Sequence, residues 1–104
     1  MSEQPIQIEL TRTGGFAGQR LHGSVRTDGL PPQLAAELAD LVDKADLGAV
    51  ERRPGGTPAR PDEFRYELTV VRGAERHQLT VHDHEVTPEL RALLTRLVEL
   101  ARQR

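Results

Sequence analysis

The sequence predicts a two-layer α+β domain of order ββαββα, a four-stranded antiparallel sheet with two helices packed on one face. Three observations predict it. Short segments alternating apolar and polar residues come in two pairs, and each pair is joined by a glycine-containing turn or loop. Each pair is followed by a longer stretch whose apolar residues recur at spacings of three and four. Both of those stretches open on proline, which a helix tolerates in its first turn. With 104 residues the chain is expected to form one domain, residues 1–104, around one core.

In the first strand Ile6, Ile8 and Leu10 alternate with Gln7, Glu9 and Thr11, a strand buried on one side. A glycine-rich tip follows. Leu21, Gly23 and Val25 then alternate with Arg20, His22, Ser24 and Arg26, so the first two strands should form a hairpin through a longer loop. Asp28-Gly29 turns the chain and Pro31-Pro32 opens a helix whose Leu34, Leu38, Leu41, Val42 and Ala45 make an apolar stripe to about Asp46. From Gly48 to Asp62 proline and glycine crowd out large apolar residues beyond Val50, and a mobile loop is expected. Phe64, Tyr66, Leu68 and Val70 restore alternation, a turn follows at Arg72-Gly73-Ala74-Glu75, and His77, Leu79 and Val81 answer as the fourth strand. Thr87-Pro88-Glu89 opens the last helix with a hydroxyl cap, a first-turn proline and an acid against the positive end of the dipole. Its leucines, with Val98 and Ala101, are expected to be spent on the sheet.

Composition excludes several function classes. Fourteen basic and sixteen acidic residues are interspersed, so the basic stripe of a nucleic-acid binder is absent. Without cysteine the chain has no disulfide staples, thiolate metal sites or cysteine nucleophile. No basic and apolar leader opens the sequence, and no apolar run approaches the ~20 residues of a membrane span, which reads as a cytoplasmic protein.

Catalytic constellations are missing as well. Glu37, Asp40 and Asp43 fall on the solvated side of the first helix. Ser2 and Ser24 lack the sharp turn of a hydrolase nucleophile, and nothing resembles a His-Glu-x-x-His zinc motif. His82-Asp83-His84 puts two imidazoles on one face of an extended segment. His77 lies on the opposite face from His82, however, and no downstream ligand closes a tetrahedron, so no metal site is expected. Neither catalytic residues nor a cofactor are assigned.

Interest therefore centres on Gly14-Gly15-Phe16-Ala17-Gly18. As a phosphate cradle it fails, because it leads into a strand and no Lys or Ser follows at the required spacing. A chain with two phenylalanines, one tyrosine and no tryptophan places one of its rings on a glycine-framed tip. Such a ring either folds back onto the sheet edge or is meant for a partner. Together with Asp28-Gly29-Leu30-Pro31-Pro32 opening a leucine-rich helix, the tip resembles the emfourin family, small inhibitors of protealysin and other thermolysin-like metallopeptidases. The resemblance extends over nearly the whole chain and is most specific at the tip.

The resemblance implies a competitive protein inhibitor whose partner is a thermolysin-like zinc metallopeptidase encoded nearby. No cofactor is implied, since the zinc belongs to the target. Such peptidases cut before a bulky apolar residue, which makes Phe16 the expected anchor, with Gly14 and Gly15 permitting close approach and Ala17 and Gly18 small enough for a narrow cleft. Arg52, Arg53 and Arg60 are a secondary contact suited to an acidic rim. The free protein is expected to be a monomer. The competing class is a non-enzymatic interaction or regulatory module with no peptidase target.

Overall fold

The computed structural model describes residues 4–15, 20–52 and 63–103. Its elements are β1 (Ile6–Gly14), β2 (Leu21–Arg26), α1 (Pro32–Ala45), α2 (Leu47–Glu51), β3 (Phe64–Arg72), β4 (Glu75–His82) and α3 (Pro88–Arg102), with single 3-10 turns at Thr27–Gly29 and Asp83–Glu85. The four strands form one sheet in the order β2-β1-β3-β4, antiparallel throughout. Both hairpins are as expected, and they are joined through their first strands, so that β1 and β3 lie at the centre.

Register explains which face is apolar. Val25, Ile8 and Val70 stand in one cross-strand row, and Gly23, Leu10, Leu68 and Leu79 in the next. Side chains in such rows share a face because the pleat repeats every two residues. Both main helices cover that face, and the core joins Ile8, Leu10, Leu68 and Val70 from the sheet to Leu38 of α1 and Leu90, Leu93 and Leu94 of α3. Burying each large aliphatic side chain contributes about 1.5–3 kcal/mol before the entropy of ordering is subtracted. Among the described residues the fully buried core is made of aliphatic residues and Tyr66. The opposite sheet face is wet, with Gln7, Glu9, His22, Glu67, Gln78 and Thr80 exposed.

Helix starts follow local chemistry. Pro32 occupies the first turn of α1, and the Thr87 hydroxyl accepts a hydrogen bond from the Leu90 amide at 3.2 Å at the head of α3. The exposed acids of α1 serve as ion-pair partners: Asp40 with Lys44 at 2.9 Å, Asp43 with Arg72 of β3 at 2.9 Å, and Glu37 with Arg96 of α3 at 3.2 Å.

The structure corrects one expectation. The stretch beginning at Gly48 is not irregular from its start, because Leu47–Glu51 is the helix α2. Asp46 separates it from α1 by adopting the left-handed conformation, with φ 51° and ψ 61°, which Asp tolerates better than most residues. The Asp46 carbonyl accepts from the amides of Ala49 and Val50 at 3.1 and 3.2 Å, so the chain resumes helical bonding at once. The bend puts Leu47 and Val50 into the core. It also brings Glu51 to β4, where one carboxylate oxygen meets His77 Nδ1 and the other accepts from the Gln78 amide at 3.2 Å. The His77 contact holds the Glu51 carboxyl below its ordinary range, with the Gln78 amide reinforcing it.

Candidate functional site

The glycine tip leaves the sheet from an asymmetric root. Pairing of β1 with β2 ends at Arg12 and Leu21, whereas pairing of β1 with β3 continues two residues further, to Gly14 and Phe64. Among the described residues, Thr13 and Gly14 thus pair with β3. Gly14 and Gly15 both have positive φ, 91° and 80°, conformations that L residues rarely adopt. Space forbids a side chain there too. A Cβ on Gly14 would stand 2.6 Å from the Glu63 carbonyl oxygen, and one on Gly15 would stand 2.4 Å from Phe64 Cε1.

Beneath the root lies a chain of locked side chains. The Arg12 guanidinium sits 4.2 Å from the centroid of the Phe64 ring, a cation–π contact, and the Tyr66 ring stands beside Phe64 at 6.3 Å, tilted by 54°. Tyr66 Oη donates to Asp83 Oδ1 at 3.4 Å. Arg91 of α3 donates to the same oxygen at 2.6 Å and to the Asp83 carbonyl at 3.0 Å. Burial raises the Tyr66 phenol pKa, with the Asp83 charge adding to it, and the hydrogen bond from Arg91 to Asp83 raises that of the guanidinium. On the other side Glu63 is pinned by the 3-10 turn, accepting from the His84 amide at 2.8 Å while also contacting His84 Nδ1. The positive-φ conformation of the two glycines is thereby held in place by packing.

Other sequence-predicted residues fare differently. Phe16, Ala17 and Gly18 lie outside the described residues, as do Arg53 and Arg60. Arg52 caps the C-terminus of α2, its amide donating to the Gly48 carbonyl at 3.2 Å, and its side chain approaches Gly48 beside His77. The rings of His82 and His84 are parallel with centroids 6.1 Å apart. Among the described residues no three His, Asp or Glu side chains are grouped to hold a metal. No described helix is long and apolar enough to cross a membrane.

Sequence reasoning missed Phe64 and Arg12 as parts of the site. Phe64 read as the first core residue of its strand. Arg12 carried a signal, since it continues the inward phase of Ile6, Ile8 and Leu10, and a cation in that phase needs an acid or an aromatic face to meet.

Comparison with known proteins gives the family. The sequence model of the emfourin family matches residues 10–98, from the middle of β1 to the last turns of α3. The chain belongs to the emfourin family. Membership puts it among non-enzymatic proteins, and the match covers the tip, its root and the sheet from Leu10 onward. A solved structure similar to it is "Emfourin (M4in) from Serratia proteamaculans, M4 family peptidase inhibitor", at 17% identity, with 89% of this chain and 88% of that chain covered and a TM-score of 0.48. No curated protein sequence matches.

Proposed function

We propose that this emfourin-family chain inhibits thermolysin-like, protealysin-type zinc metallopeptidases, with the loop that follows Gly15 occupying the active-site cleft in competition with substrate. Family membership over residues 10–98 is the observation that carries the reading. The geometry of the root supports its mechanism. A segment leaving the sheet from two glycines already fixed in positive φ loses less entropy on binding than a free peptide. Phe16, next in the chain, is the bulky apolar residue that such peptidases accept in their main pocket, and it acts as the anchor. Arg52, Arg53 and Arg60 add a second contact to an acidic rim, steering approach more than holding the complex. The inhibitor needs no cofactor, because the zinc is the target's own. It acts as a monomer on a cytoplasmic peptidase encoded nearby.

Titration of a thermolysin-like peptidase with wild-type protein and Phe16→Ala tests the reading. Wild type should inhibit stoichiometrically, and loss of a central aromatic anchor should weaken inhibition by about thirtyfold or more. Equal inhibition by both proteins would move the anchor away from Phe16. No inhibition of any such peptidase, including one encoded beside this chain, would refute the function.

A further inference from the structure

Resting on the inhibitor reading of the tip, we propose that Phe64 is a positioning residue: locked in place by Arg12, its ring fixes the direction in which the tip leaves the sheet and so sets the lifetime of the inhibited complex.

A hairpin loop is ordinarily braced by the strand pair that flanks it. Among the described residues, the brace beyond Arg12 is β3. The last cross-strand partner of β2 among them is Arg12, and the next two residues, Thr13 and Gly14, are paired with β3. At Gly14 and Gly15 the chain runs against Glu63 and Phe64, which approach so closely that neither glycine has room for a Cβ. Phe64 can serve as such a template because it cannot itself move freely. Arg12 covers its ring at 4.2 Å, and Tyr66 flanks it while tied through Asp83 to Arg91 of α3. Orientation thus passes from the terminal helix to the root of the tip through four side chains. Phe64 acts through the two glycines it packs against.

Replacing the ring with a branched aliphatic chain removes both the template and the cation–π contact while leaving an apolar residue in its place. Gly14 and Gly15 should then sample more directions, and the tip would have to be ordered again at each binding event. Affinity would be lost chiefly as faster dissociation, as for most changes within one interface.

The experiment compares wild type, Phe64→Leu, Phe64→Tyr and Val98→Ala, the last a core truncation in α3 that lowers stability without touching the root. Backbone relaxation of the free proteins is measured first. In Phe64→Leu the Gly14 and Gly15 order parameters should fall from about 0.85 to below about 0.6, while Phe64→Tyr and Val98→Ala keep wild-type values. Dissociation of the complex with a thermolysin-like peptidase should then be about tenfold or more faster for Phe64→Leu alone, since freeing about one residue's backbone is involved. Unchanged order parameters in Phe64→Leu, or equal acceleration in Val98→Ala, would overturn the proposal. If wild type inhibits no peptidase, the inhibitor reading fails, and the relaxation measurement still decides what Phe64 does to the root.

Discussion

Tyr66 lies between the core and the tip. It is the only tyrosine in the chain, so an ultraviolet titration reports it alone. Burial first, and then the Asp83 charge, disfavour the phenolate, and the phenol should ionise above its ordinary value of about 10. A folded pKa raised above the unfolded one gives stability that is fully present below the unfolded pKa and lost as pH rises through the folded pKa. The protein should therefore lose stability on the alkaline side as Tyr66 ionises. In Asp83→Asn the titration should move back towards the ordinary value without reaching it, because burial is the larger cause. A midpoint unmoved by the substitution would remove Asp83 from the account. At this scale the sequence was legible where conformation alone decides, as at Gly14 and Gly15. It was only partly legible where a contact decides: Arg12 in the inward phase called for an acid or an aromatic face, but nothing local tells that Phe64 supplies it.

Among the elements, α2 shows what a pattern reading loses. Strands and long helices declare themselves by periods of two and about 3.6, which need several repeats to register. Leu47 and Val50 offer one repeat, and the Pro- and Gly-rich residues after them masked it. Tertiary contacts make the helix instead: two buried side chains, and Glu51 bound to His77 and to the Gln78 amide. The Gln78 bond also covers one amide of β4, an edge strand, limiting its pairing with other chains. Glu51→Gln should destabilise the protein at neutral pH. Since the folded Glu51 pKa is depressed, its contribution is present above the unfolded pKa and lost as pH falls through the folded one, so the two proteins should converge in acid. Denaturant unfolding across the carboxylate titration range measures this, and a difference independent of pH would contradict it.

For the molecule as a whole, the two-layer arrangement could be read from patterning because every strand has one apolar face and the sheet must bury it. Strand order could not, since nothing in the alternation says that the two hairpins join through β1 and β3. On the proposed reading that join matters for function. It places Phe64 against Gly15, and it brings the 3-10 turn at Asp83–Glu85 to the same end of the sheet, where Asp83 and His84 brace β3 and the root of the tip. On that reading one end of the domain is the mount for the tip, while the remainder of the sheet supplies the core beneath it. The most direct measurement is inhibition of a thermolysin-like peptidase by the wild-type protein at a series of substrate concentrations. A mount that presents the tip to the active-site cleft predicts an apparent inhibition constant rising linearly with substrate, from mutually exclusive binding. Inhibition independent of substrate concentration, or none, would contradict it.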